Sequence, residues 1–221
     1  MRNKFFNNQC YHIFNRGVEK RNIFSCKNDY ERFLLTIKHV NKPNNLGYAL
    51  TKRIEASCTP PRCDESHLGG VQDSTFVNII AYCLNSNHFH LILEQNKENG
   101  ISLFMSRLSN SYTRYFNTKH DRSGSLFQGK FKSVQIDTNG QLLYLSAYVN
   151  CNNFIHKYNK FKEKWLYSSY LDYIGKREGK LCNKKIILSQ FKNNFEDYKK
   201  FCENISNYSK EKKEFVKYYL E

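Results

Sequence analysis

The apolar positions along the chain switch repeatedly between a period of two and a period near 3.6, the signatures of strand and amphipathic helix. Cys10 to Asn15 is a run of strand-forming residues that stops at Arg16-Gly17, a turn signal. Asn28 stands three residues before Glu31, a helix-start pattern, and Phe33, Leu34, Ile37 and Val40 follow at helical spacing. From Asn41 to Ser74 the periodicity fades into Pro, Gly, Asn, Lys and Cys, which marks an inserted loop. Two β-rich runs follow, Phe76 to Leu84 and His88 to Glu94, and Asn85-Ser86-Asn87 joins them as a hairpin. Ser102 can cap a helix with the stripe Met105, Leu108, Tyr112, Tyr115 and Phe116. Gly124 and Gly129 bracket a turn into a strand from Lys130 to Ile136. Thr138, with Gln141 three residues on, opens a helix running to about Asn153.

The predicted order is β-α-β-β-α-β and then a further helix. This is an α+β, ferredoxin-like split β-α-β, with an antiparallel sheet and two helices on one face. Residues 1–160 carry that fold, with the insertion at about 41–74. Residues 161–221 read as a basic, Lys- and Tyr-rich helical extension, with a helix predicted from Ile186 to Phe201.

Composition narrows the class of partner. The 221 residues include 35 Lys and Arg against 20 Asp and Glu, a net charge of +15, with 16 Tyr and 17 Phe. That much aromatic content argues against disorder, and the charge favours a polyanion. Part of the bias is what an AT-rich coding sequence also produces, so charge alone does not decide for nucleic acid. No apolar run approaches the ~18–20 residues of a spanning helix. Met1 to Gln9 is polar, unlike a signal peptide, and the eight cysteines show no framework spacing. The expectation is a cytoplasmic protein with reduced thiols and no membrane partner. Cys58, Cys63 and His67 lack a fourth ligand and a C-x-x-C pair, so a polar loop is the better reading there than zinc.

Chemistry concentrates in Asn87-His88-Phe89-His90-Leu91-Ile92-Leu93-Glu94. On a strand, His88, His90 and Ile92 share one face while Phe89, Leu91 and Leu93 share the other. With the apolar face against the helices, two imidazoles project together from the opposite face, a spacing that suits one cation. A pair of surface histidines is the plainer reading of a motif this short. In the later helix Tyr144, Tyr148 and Asn152 stand at four-residue steps, each rotating only roughly 40°. A phenol and a carboxamide oxygen can therefore face one site, although a Tyr-rich packing stripe has the same spacing.

Taken together these segments resemble the HUH transposases with one catalytic tyrosine, REP-associated tyrosine transposases among them. The likeness is carried by Tyr11-His12-Ile13-Phe14-Asn15-Arg16-Gly17, Asn22-Ile23-Phe24, Arg32-Phe33 and Asn87-His88-Phe89-His90-Leu91. It continues through Ser111 to Asn117, Gly124 to Lys132, Tyr148-Val149-Asn150-Cys151-Asn152 and Trp165 to Tyr170. Where the family usually has Met-Pro before the Asn-His, this chain has Asn85 and Ser86. Where it usually ends the tyrosine motif in Asn-Pro, Asn153 follows Asn152.

The resemblance implies a metal-dependent single-stranded DNA transesterase. Mg²⁺ or Mn²⁺ is held by His88, His90 and Asn152, and Tyr148 attacks the phosphate to leave a 5′-phosphotyrosine and a free 3′-OH. Arg107, Arg114, Lys119, Lys130 and Lys132 are candidates for holding phosphates of single-stranded or hairpin DNA, although each could equally belong to a solvated face. His12 is more readily a structural residue than a site residue. Both homodimer and monomer occur among such enzymes. The competing readings are a non-catalytic nucleic-acid-binding module on the same fold and a domesticated transposase kept as a DNA binder.

Overall fold

The computed structural model describes residues 4–42, 75–156 and 162–211. Its elements, in order, are β1 (Cys10–Arg16), α1 (Lys27–Val40), β2 (Val77–Asn85), β3 (His88–Gln95), α2 (Gly100–Lys119), β4 (Lys132–Ile136) and α3 (Asn139–Ile155). Then come α4 (Tyr170–Tyr173), α5 (Lys185–Leu188) and α6 (Phe195–Glu211). The strands form one antiparallel sheet in the order β2-β3-β1-β4. That is the predicted split β-α-β, with α3 after the last strand. Most of the insertion, with Cys58, Cys63 and His67, lies outside the described residues.

The period-two pattern places two different cores on the two sides of the sheet. Tyr11 and Ile13 of β1, Leu84 of β2, and Phe89, Leu91 and Leu93 of β3 pack beneath α1 and α2 with Phe33, Ile37, Phe104, Leu108 and Tyr112. Burying each such side chain contributes about 1.5–3 kcal/mol before entropy is counted. Ile80, Ala81 and Cys83 of β2 and Ile92 of β3 face the other way and meet Leu145, Tyr148 and Val149 of α3. The sequence placed the two imidazoles and Ile92 on this second face. It is roofed by α3, and α6 lies on α3 with Tyr198 and Cys202 fully buried.

Local signals explain most boundaries. Thr138 Oγ1 accepts from Gln141 N at 3.1 Å and Gln141 Oε1 from Asp137 N at 2.9 Å, the reciprocal cap read from the sequence. At α1 the start is earlier than Asn28: the N-cap is Cys26, and Asp29 Oδ2 accepts from the Ser25 and Cys26 backbone amides. Likewise α2 begins at Gly100 rather than at a Ser102 cap; a Cβ on Gly100 would stand 2.4 Å from the Phe76 carbonyl oxygen. The helix predicted over 186–201 is broken at Lys192 and Asn193, whose φ angles are 53° and 59°. A short turn precedes the break and α6 follows it.

Among the described residues no helix is long and apolar enough to cross a membrane. Cys10, Cys26, Cys83, Cys151, Cys182 and Cys202 are free thiols.

Candidate active site

Residues facing each other across antiparallel strands share a face. The register sets Phe14 opposite His90, Arg16 opposite His88, Asn85 opposite His88 and Lys132 opposite Phe14. One patch on the α3 side therefore gathers His88 and His90 from β3, His12, Phe14 and Arg16 from β1, Asn85 from β2 and Lys132 from β4. The period of α3 brings Tyr148 and Asn152 down onto it. The rings of His88 and His90 are edge to face with centroids 5.1 Å apart, and Tyr148 meets His90 at 6.2 Å.

Hydrogen bonds define the roles of the ring nitrogens. Asn87 Oδ1, which can only accept, lies 2.6 Å from His88 Nδ1, so that nitrogen carries the proton. His88 Nε2 then presents a lone pair, and it accepts from Asn85 Nδ2 at 2.9 Å. The same Asn85 Nδ2 donates to Asn152 Oδ1 at 2.6 Å. His90 Nδ1 and His12 Nε2 are 3.0 Å apart, with the two rings stacked. Tyr148, wholly buried, has its hydroxyl 3.2 Å from His156 Nε2 at the end of α3.

Burial keeps these imidazoles neutral. It lowers the pKa of His12 to about 3 and is also the main cause that brings His88 to about 4, helped by the charges of His156 and Arg16 against an opposing Asn152 hydrogen bond. His90 is pushed well below its ordinary value, first by burial and then by His88, His12 and His156. Neutral imidazoles do not have to lose a proton before binding a cation.

Among the described residues no group of three or more His, Cys, Asp and Glu side chains is placed to hold a metal ion. A cation here would rest on two imidazoles and carboxamide oxygen. The donor set fits that use: two lone pairs, on His88 Nε2 and Asn152 Oδ1, converge on one small donor group, a position a cation can take. Nδ2 of Asn152 is buried without a partner.

The other residues singled out in the sequence are distributed unevenly. Lys132 lies on the histidine face, its Nζ 5.7 Å from the Phe14 ring, and Lys130 is exposed just before it. Arg107, Arg114 and Lys119 are on α2, across the sheet from the histidines. Arg107 stacks on Phe76 and donates to the Lys42 carbonyl, while Lys119 pairs at 2.5 Å with the buried Asp29. Tyr112 and Tyr115 are also on that side, donating to the Ile23 carbonyl and to Asp29. Tyr144 bonds Ser209. Three participants carried no sequence signal for the site. Asn85 read as a hairpin residue and a departure from a motif, His156 lies past the predicted helix end, and Arg16 read as a turn residue within a longer motif.

Residues 62–152 match the model of the family described as Transposase IS200 like. No curated protein matches the chain. Four chains of solved structures do. One of these, described as the REP associates tyrosine transposase bound to a REP hairpin, is 13% identical with a TM-score of 0.52. That alignment covers 79% of this chain and 84% of the other. A likeness at that identity shows a shared fold.

Proposed function

From the match of residues 62–152 to the IS200-like transposase family, we propose that this chain cuts and rejoins single-stranded DNA through a covalent link between Tyr148 and a 5′ phosphate. The observation carrying the reading is that α3 sets a phenol and a carboxamide oxygen over two neutral imidazoles of one strand face. His88, His90 and Asn152 would hold a divalent cation, Mg²⁺ or Mn²⁺. It would supply Lewis-acid polarisation of the scissile phosphate and steady the leaving 3′ oxygen.

The remaining chemistry falls to the chain's own groups. Tyr148 attacks phosphorus, its O–P bond forming as the P–O3′ bond breaks, and His156 Nε2, 3.2 Å from the hydroxyl, is within reach to take the phenolic proton. The reverse attack by a 3′-OH restores the phosphodiester without ATP, because the bond energy stays in the phosphotyrosine. Since Tyr148 is buried, the packing around its hydroxyl has to open for a phosphate to reach it. Lys132, Lys130 and Arg16 border the same patch and suit phosphate contacts. Arg107, Arg114 and Lys119, on the far face, suit at most a DNA path that wraps around the sheet. The REP hairpin in the solved relative makes hairpin DNA the first substrate to try.

The test uses the full chain, Mn²⁺ and a hairpin oligonucleotide labelled at its 3′ end, the end that a 5′-phosphotyrosine retains. A labelled protein band on a denaturing gel is expected, lost with EDTA and in His88→Ala/His90→Ala. An adduct that persists in the double variant and in EDTA overturns the reading.

A further inference from the structure

Asn85 and Asn153 are the two places beside the histidine and tyrosine motifs where an amide stands in place of the usual Met and Pro. They are 68 residues apart, yet they touch: Asn153 Nδ2 donates to Asn85 Oδ1 at 3.0 Å, with both side chains buried. Resting on the reading that His88, His90 and Asn152 hold a cation, we propose that Asn85 is a further ligand of that cation and that Asn153 orients it.

Geometry carries the argument. The end of the Asn85 side chain lies at hydrogen-bond distance from both His88 Nε2 and Asn152 Oδ1, so it already reaches the point where those two lone pairs converge. In the present orientation its NH₂ group faces those lone pairs and holds them together. A half-turn of the amide exchanges the two ends and aims Oδ1 at the same point. Asn85 Nδ2 then faces Asn153, whose own Oδ1 is buried without a partner and can turn to accept it. The Asn85–Asn153 bond is therefore kept in either orientation, its direction reversed. Cys83 Sγ, a weak donor to Asn85 Oδ1 at 3.8 Å, can accept weakly after the turn. A Met at 85 offers no hard oxygen, and a Pro at 153 offers no amide to steer one. The resulting donor set of two imidazoles and two carboxamide oxygens carries no charge, so the cation keeps its full charge for the phosphates.

Mn²⁺ binding to the full chain, read by the loss of the free-ion electron paramagnetic signal, tests this without reference to cleavage. Wild type is expected to bind Mn²⁺ and His88→Ala/His90→Ala not to. Asn85→Met should weaken binding by roughly tenfold or more, the scale on which metal sites respond to losing a supporting group. Asn85→Asp, nearly isosteric and with oxygen at both ends, should tighten it. Asn153→Leu should weaken wild type and have a smaller effect in the Asn85→Asp background, where orientation no longer matters. Wild-type affinity in Asn85→Met, or a gain, overturns the proposal, since Asn85 would then be a bystander or a plug. If Asn85→Met does not melt cooperatively, unchanged or weaker binding by Asn85→Asp overturns it. An equal loss from Asn153→Leu in both backgrounds removes Asn153 from it. Failure of wild type to bind Mn²⁺ refutes the underlying cation reading, and this proposal with it.

Discussion

Replacing His12 by Phe separates packing from positioning at the site. The His12 ring is wholly buried, stacks on His90 and meets Phe14 at 5.0 Å, so an aromatic replacement keeps the stack. What it removes is Nε2, the partner of His90 Nδ1 at 3.0 Å. For His90 to offer Nε2 to a cation, its Nδ1 must carry the proton and His12 must accept it. A buried polar group left without a partner costs about 1–3 kcal/mol. In a chain of this size each kcal/mol is worth roughly 2–4 °C, so His12→Phe should melt about 2–12 °C below wild type. Mn²⁺ affinity and the adduct rate should fall together by roughly 10–100-fold, the usual cost of losing the group that orients a metal-bound histidine. Glutamine at the same position presents a carboxamide oxygen able to accept from Nδ1, so His12→Gln should recover most of both. The assays are thermal melting, Mn²⁺ binding and adduct formation on a denaturing gel. A lower melting temperature with unchanged Mn²⁺ affinity and adduct rate would refute the reasoning and leave His12 as core packing.

Tyr148→Phe keeps the buried ring and loses the hydroxyl that meets His156, so folding should survive while the adduct disappears; Tyr144→Phe should still form it, and peptide mapping of the trapped product is the check. Acid should destabilise the chain, because His12 and His88 titrate at about 3 and 4 when folded but near 6.5 when unfolded. The unfolded chain then binds more protons below about pH 6.5, and stability drops by up to about 1.4 kcal/mol per pH unit for each buried imidazole. Their contribution is whole above that pH, and urea midpoints unchanged between about pH 7.5 and 5.5 would contradict it. Lys132→Ala should weaken single-stranded DNA binding and lower the log–log salt slope by about one unit, while Arg107→Ala leaves the slope unchanged. The opposite ranking would place the DNA across α2.

The sequence exposed what depends on short-range period. Alternation along β3 put the two imidazoles on one face, and the four-residue steps of α3 aligned Tyr148 with Asn152, because both patterns are local geometry. It could not show what long-range packing decides. The roof of α3 and α6 over the histidine face depends on segments that begin 44 and 100 residues after the end of β3, and it turns two seemingly exposed histidines into depressed, neutral ones. Positive charge has no period at all. Lys119 therefore looked like Lys132 in the sequence, although one neutralises Asp29 and the other borders the site.

The alternation of β3 makes its register a single point of failure. Losing one residue from the Ser86-Asn87 turn would not cost a single contact but invert the whole strand. Phe89 and Leu91 would be pressed toward the tyrosine, and His88 and His90 turned into the grease beneath α1 and α2. A lineage of this protein could absorb many substitutions on its outer helices and stay whole, yet a three-nucleotide slip in this hairpin would end the chemistry and the fold in one event.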